Sequence, residues 1–120
     1  MVGVKADPAT QLTFTGSSGS RSFKFGDDFV ATTGAQTPSA SVDAEVVFVG
    51  YGIDSPLYKW NDYSGPVEDY RGKVLIIMVN DPPATTAEPN LFGGRALTYN
   101  GRWTYKYEEA ARRGAVGAIL

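Results

Sequence analysis

The side chains that most often perform chemistry in proteins are missing from this sequence, which contains no histidine and no cysteine. Imidazole is the commonest general base and metal ligand near neutral pH, and a thiolate is the readiest nucleophile. A zinc site would have to be built from carboxylates alone, a ligand set that suits harder cations better. We therefore expect a domain that supports chemistry performed elsewhere, with no catalytic residue, metal or cofactor of its own.

Two arginines in a long loop are the candidates for contact with a substrate. Arg95 and Arg102 lie between Gly93 and Trp103. A guanidinium group offers a planar pair of donors that matches a carboxylate better than a lysine ammonium does. The alternative is that both arginines are solvated loop charges or pair with the domain's own acids.

Two further patterns resemble ligand sites only superficially. Gly50-Tyr51-Gly52 invites a phosphate-loop interpretation, but position 55 is serine and Pro56 follows where a helix should begin. It predicts a turn. The aspartates do not form the alternating acidic loop of a calcium site, so we interpret them as solvated turn acids. They are Asp27, Asp28, Asp54, Asp62 and Asp81.

Aromatic residues concentrate in two predicted loop regions. Trp, Tyr and Arg are enriched where proteins bind partners, so these side chains could form a contact surface. The alternative is a satellite core beneath long loops. Trp103 is expected to face inward, together with Tyr107. The interface candidates are Tyr58, Trp60, Tyr63, Tyr99 and Tyr105.

The N-terminal part predicts a β-hairpin followed by a connector. Leu12 and Phe14, and then Phe23 and Phe25, alternate with polar residues, as in half-buried strands. A Gly- and Ser-rich segment, residues 16–20, joins the two. Residues 32–41 are small and polar with one proline, so we expect no regular element there.

Two apolar segments predict the main strands. Residues 42–49 alternate at first and then become continuously apolar, which predicts a strand whose second half is covered on both faces. Residues 74–79 form a continuous, β-branched run, which predicts a central strand buried on both faces. Residues 80–83, which end in two prolines, stop that strand. The aromatic connection between the strands, residues 53–71, is long enough to suggest a functional loop.

A helix is predicted close to the C-terminal end of the sequence. Trp103, Tyr107, Ala110 and Ala111 recur at helical spacing and predict its apolar face. Gly114 suits a left-handed cap at its end.

The charged residues of this helix predict a salt-bridged surface. Glu108 and Glu109 each stand four residues before an arginine, Arg112 and Arg113, in the favourable orientation for helix ion pairs. This pattern explains the two glutamates better than a pair of catalytic acids does.

Residues 116–120 restart an apolar extended run. A strand, a crossover that contains a helix, and a second strand imply parallel pairing with a right-handed connection. The predicted fold class is therefore α/β, with a mixed, partly parallel β-sheet and a flanking helix. Because Leu120 stands inside the predicted last strand, we expect a piece of a longer protein, truncated at its C-terminus.

Bulk composition excludes several kinds of partner. At 120 residues and 42% hydrophobic, the sequence fits one compact domain. With 13 acidic and 11 scattered basic residues, its net charge of −2 predicts no binding to nucleic acid. The longest apolar run is too short to cross a bilayer, so no membrane partner is expected. A high content of small polar residues favours an extracytoplasmic protein.

Three blocks of the sequence, in this order, strongly resemble the protease-associated domain. They are residues 44–53 (AEVVFVGYGI), residues 70–83 (YRGKVLIIMVNDPP) and residues 107–118 (YEEAARRGAVGA). More narrowly, they look like the version inserted in bacterial zinc aminopeptidases related to glutamate carboxypeptidase and the transferrin receptor. The resemblance implies a swivelling β/β/α domain, incomplete here, over residues 12–120, with residues 1–11 as the tail of a preceding peptidase region.

The resemblance also implies a function. In that family the domain is a noncatalytic insert near the mouth of the active site, and zinc is held by the peptidase domain. The implied partners are the peptidase domain of the same parent chain and, indirectly, its peptide substrate, in a secreted or periplasmic protein. An arginine just before the corresponding helix reaches toward substrate in the family, and Arg102 lies about one residue out of that register.

Two other functions stay open from the residues alone. A free-standing peptide- or glycan-binding domain would use the same aromatic loops as its binding site. A self-contained carboxylate or serine hydrolase would turn over substrate by itself, although a serine nucleophile would need a lysine base because histidine is absent.

Overall fold

The computed structural model describes residues 7–34 and 37–120. The chain divides into two compact units, Met1–Ser41 and Val42–Leu120. The predicted tail, residues 1–11, lies in the first unit, and its residues 1–6 fall outside the described part. So do residues 35 and 36 of the predicted connector.

The first unit contains the predicted hairpin. Strand β1, Gln11–Gly16, pairs antiparallel with β2, Gly19–Lys24, and Ser17 and Ser18 form the turn. Leu12 lies opposite Phe23, and the rings of Phe14 and Phe23 meet edge to face with centroids 5.7 Å apart. The hairpin prediction is confirmed. Residues 32–34 and 37–41 contain no helix or strand, as expected for the connector.

The second unit is built on a three-stranded parallel sheet. Strand β3, Val46–Phe48, is followed by a short antiparallel ladder of β4, Asp54–Ser55, and β5, Trp60–Asn61. Then come β6, Val74–Ile76, helix α1, Trp103–Arg112, and β7, Gly117–Ile119. The sheet order is β3-β6-β7, with both pairs parallel. The α/β class, a parallel sheet and a helix between two of its strands are therefore confirmed.

Single 3₁₀ turns occupy parts of the loops. They are Pro56–Tyr58, Val67–Asp69, Leu91–Gly93 and Tyr99–Gly101. The aromatic connection of residues 53–71 is thus not structureless, because it contains the β4–β5 ladder and two of these turns. No helix in the described part of the chain is long and apolar enough to cross a membrane.

The sheet is covered on one face only. Leu75 and Ile77 are buried against Val49 and Ala110, so β6 does form the centre of the core. On the opposite face, Val46 is 39% exposed and Phe48 62% exposed. The prediction of burial on both faces was wrong for β3, because Phe48 is exposed, whereas in β6 Val74 and Ile76 on that face are half-buried.

The two predicted strands are also shorter than their apolar runs. Only Val46–Phe48 of residues 42–49 and Val74–Ile76 of residues 74–79 lie in strands. Parallel hydrogen bonds extend slightly further, since Ile77 N–H donates to the Ile119 carbonyl at 2.9 Å. Apolar patterning alone therefore overestimated the length of the ladder.

Helix α1 lies where the sequence predicts a helix but, apart from Ala110, it buries different residues. Gly114 adopts φ +79, and the Ala115 and Gly114 amides donate to the carbonyls of Ala110 and Ala111, which is a Schellman cap. Trp103 and Tyr107, expected inside, are 66% and 48% exposed. The buried face consists of Tyr105, Lys106, Glu109 and Ala110.

Candidate functional site

The exposed side of α1 carries two large aromatic residues. Trp103 and Tyr107 stand four positions apart in the sequence, so their side chains are neighbours on one side of the helix. Both face solvent although large aromatics normally bury most of their area. We call these two residues the Trp103–Tyr107 pair. Such a pair is typical of a surface that a partner covers.

The approach to this helix is fixed by a turn just before it. The side chain of Thr98 accepts a hydrogen bond from the Asn100 amide at 3.2 Å, which caps the Tyr99–Gly101 turn. Arg102 then has extended backbone angles and occupies the N-cap position of α1. It is therefore adjacent to Trp103 at the start of the exposed helix face.

Both predicted substrate-facing arginines are exposed. Arg95 and Arg102 form no salt bridge or side-chain hydrogen bond with any residue of the described ranges. The structure therefore does not support the alternative in which these arginines pair with acids of the described residues. Their guanidinium groups remain open to an external carboxylate.

Tyr99, a predicted interface residue, is half exposed but held in place. Its hydroxyl donates to Glu108 Oε2 at 2.6 Å, and its ring meets that of Tyr105 at a centroid distance of 5.7 Å. The hydrogen bond to Glu108 raises the pKa of Tyr99. Glu108 therefore binds Tyr99, and the predicted pair of Glu108 with Arg112 is not formed, because Arg112 pairs with Glu109 instead.

The other predicted interface residues belong to internal clusters. Tyr58 and Trp60 pack around the fully buried Phe92, with ring centroids 4.4 and 5.7 Å from its ring. Tyr105 joins the same cluster, whereas Tyr63 packs edge to face on Tyr70 in the main core. Tyr58, Trp60 and Tyr105 therefore pack in a satellite cluster and Tyr63 packs in the main core, and a role of these four residues at an interface stays a prediction.

Phe92 is the centre of this cluster, and the sequence analysis missed it. It is 0% exposed and has φ +48, a conformation that side chains other than glycine rarely adopt. Two apolar residues, Leu91 and Phe92, between Pro-Asn and Gly-Gly carry no periodic signal. Its burial depends on Tyr58 and Trp60, more than thirty residues earlier in the sequence.

Lys106 is a second residue that the sequence analysis missed. It is fully buried, and its Nζ donates to the carbonyl oxygens of Tyr51 at 2.5 Å and Asn80 at 3.0 Å. These carbonyls follow β3 and β6, so one ammonium group holds the carboxyl ends of two parallel strands. Burial lowers the pKa of Lys106 to about 8, against the opposing effect of Asp81 and Asp62.

Glu109 and Arg113 link α1 to the β4–β5 ladder. Glu109 accepts from Arg113 Nε at 3.0 Å, and Arg113 Nη2 donates to Asp54 at 2.6 Å. Arg113 also lies over the ring of Tyr63, 4.4 Å from its centroid. The predicted pairing of Glu109 with Arg113 is confirmed, but Glu109 is buried and not on an exposed polar face.

The aspartates considered as metal ligands have separate structural roles. Asp28 accepts from the Lys24 amide, Asp62 from the Ile53 amide, and Asp81 from the Thr98 amide. Within residues 7–34 and 37–120, no three acidic side chains are grouped as metal ligands would be.

In comparisons with known proteins, no family model, no curated protein and no solved structure matches this chain.

Proposed function

We propose that this chain is a noncatalytic protease-associated module of a zinc metallo-aminopeptidase, which shapes access of peptide substrates to a site elsewhere on the parent chain. The observation that carries the proposal is the Trp103–Tyr107 pair, exposed on α1 directly after the unpaired Arg102. A partner domain that covers the aromatic pair would place Arg102 at the border of the contact. An arginine there can bind the carboxylate of a substrate.

The three sequence blocks support the choice of family. They coincide with β3 and the turn after it, with β6 and the loop that ends it, and with α1 followed by β7. A module built in this way contributes recognition, while peptide hydrolysis uses a zinc-bound water in the peptidase domain of the parent. We assign no step of that hydrolysis to a residue of this chain, and we expect the parent to be secreted or periplasmic.

A free-standing peptide- or glycan-binding domain is the second candidate function. The same observation favours it, because exposed Trp and Tyr side chains also stack on sugars and peptides. The two functions differ in what covers the aromatic pair. In the first it is a peptidase domain, and in the second it is the ligand itself.

An activity assay separates the proposal from a self-contained hydrolase. The purified chain is mixed with Zn²⁺ and a panel of aminoacyl chromogenic substrates, alone and after it is rejoined to its peptidase domain. We expect hydrolysis only in the rejoined protein, with a substrate preference that the peptidase domain lacks when alone. Hydrolysis by the chain alone that survives repurification and scales with its concentration would overturn the proposal. Tight binding of a peptide or glycan to the chain alone, with no effect on the peptidase, would favour the second candidate.

A further inference from the structure

Strand β3 leaves one backbone edge open. On the side that faces β6, the Val49 amide donates to the Ile76 carbonyl at 3.1 Å, and the Glu45 carbonyl accepts from the Val74 amide at 2.9 Å. Backbone groups alternate between the two edges of a strand in a parallel ladder. The N–H and C=O groups of Val46 and Phe48 therefore point away from β6. In the described part of the chain, no other strand pairs with that edge.

A groove runs along this open edge. It has a volume of about 500 Å³, and its lining includes both Val47 and Phe48. Because the side chains of consecutive strand residues point to opposite faces of a sheet, we infer that a groove lined by both Val47 and Phe48 lies beside the edge of β3. The rest of the lining comes mainly from the segment of residues 62–70, which precedes β6.

The charges along the groove are negative. Asp62, Glu68 and Asp69 all line it. Glu68 and Asp69 are exposed, and neither side chain forms an ion pair or accepts a hydrogen bond from another described residue. Lys73 is the single basic residue of the lining, and its ammonium group is bound by Glu45.

We propose that the open edge of β3 binds an extended peptide segment that carries lysine or arginine side chains. The main chain of the peptide adds a strand to the sheet beside Val46 and Phe48, and its basic side chains lie against Glu68 and Asp69. Strand addition supplies affinity through main-chain hydrogen bonds, and the side-chain surroundings supply specificity. The exposed ring of Phe48 gives the aliphatic part of the peptide an apolar contact.

The negative charges of the groove also argue against a second copy of this chain as the bound partner. Antiparallel pairing of two β3 edges would bring two sets of Asp62, Glu68 and Asp69 together, and like charges across an interface are unfavourable. A basic segment removes that repulsion. The inference does not depend on the proposed function, since it concerns β3 and not the Trp103–Tyr107 pair.

The test measures binding of defined peptides to the full 120-residue chain. The probe is a fluorescently labelled decapeptide of alternating valine and lysine, followed by anisotropy. Two control peptides replace lysine by glutamate, or carry N-methyl groups on the residues whose amides would pair. We expect the lysine peptide to bind at least about tenfold more tightly than either control, and its affinity to fall as salt is added. The amide resonances of Val46 and Phe48 should shift on binding.

Two variants locate the site. Phe48→Pro removes the outward-facing N–H together with the exposed ring, while the ladder to β6 is kept and circular dichroism should be unchanged. Glu68→Lys reverses one groove charge, and Glu88→Lys is its matched control, because Glu88 is also exposed and lies outside the groove lining. We expect Phe48→Pro and Glu68→Lys each to weaken binding about tenfold, and Glu88→Lys to leave it unchanged.

Several results would overturn the inference. Equal affinity for the N-methylated peptide would mean that no strand is added, and equal loss in the two charge variants would mean nonspecific attraction. If Phe48→Pro is unfolded, the pair of charge variants and the amide shifts still decide the outcome. Sedimentation of the chain alone as a dimer that Glu68→Lys dissociates would assign the edge to a second copy and contradict a basic peptide.

Discussion

Lys106 shows how one residue connects the helix to the sheet. The buried ammonium group is tolerated because two carbonyl oxygens accept hydrogen bonds from it. It still loses the hydration that it has in the unfolded chain. The groups that face it are Asp62, Asp81 and the rings of Tyr51 and Tyr105. Its ionisation should therefore be visible in the stability of the fold.

We predict that stability increases with pH because of Lys106. Its pKa is about 8 in the folded state against 10.5 for a solvated lysine in the unfolded state, so between these values the unfolded state binds more protons. The free energy of unfolding should rise by on the order of 2 kcal/mol from neutral pH to a pH of about 9.5. Urea unfolding at several pH values measures it. The control is Lys106→Met, whose free energy of unfolding should not rise over this pH range. A wild-type free energy that is as independent of pH as that of the variant would contradict the prediction.

Arg102 carries the second prediction at this scale. In the parent enzyme, Arg102→Ala should raise KM about tenfold for substrates with a free carboxylate near the site and leave KM unchanged for amidated substrates, because a charge-assisted hydrogen bond contributes about 1.5 kcal/mol. Steady-state kinetics on paired substrates measures this. Arg21→Ala is the control, since Arg21 is also exposed and is not a candidate for substrate contact. A KM that is the same for both substrate types would remove Arg102 from the proposal.

At the scale of elements, the end of α1 depends on a backbone conformation. Gly114 has φ +79 within the Schellman cap, and a methyl group placed on it would lie 3.2 Å from Arg71 Cγ. We predict that Gly114→Ala lowers the free energy of unfolding by about 1 kcal/mol. Chemical denaturation measures the change. Gly117→Ala is the control, because its added methyl group would make ordinary contact with Val74, and an equal loss in both variants would argue against the cap as the cause.

Element positions followed from the sequence where the signal was local. The α1 bounds were predictable because helical spacing, an ion pair four residues apart and Gly114 all lie within one short segment. The hairpin was predictable for the same reason. The buried face of α1 was not, because Lys106 and Glu109 look like solvent-facing residues and are satisfied inside by groups such as the Tyr51 carbonyl and Arg113.

The candidate site shows the same limit. The sequence identified Arg95, Arg102 and Tyr99 as exposed residues in the loop before α1, and the structure places them there. It assigned Trp103 to the inside because aromatic residues at helical spacing usually mark a core. Which side of a helix is buried depends on what lies opposite, and here that is a sheet whose contact residues, such as Leu75 and Val49, are distant in sequence.

For the whole molecule, the second unit combines a well-packed centre with two surfaces that the described residues do not cover. The covered face of the sheet contains Leu75 and Ile77, whereas Phe48 and the Trp103–Tyr107 pair remain exposed. On the two proposals made above, α1 would contact a partner domain and β3 an extended peptide.

The most direct measurement of this account is the fluorescence of Trp103 with and without the peptidase domain of the parent. The experiment uses Trp60→Phe, so that Trp103 is the remaining tryptophan of this chain, with the peptidase-domain signal subtracted. The account predicts the red-shifted emission of a solvated indole in the isolated chain, and a blue shift with loss of iodide quenching when the domains are joined. Emission and quenching that stay the same in the joined protein would contradict it, because the aromatic surface of α1 would then face solvent in both.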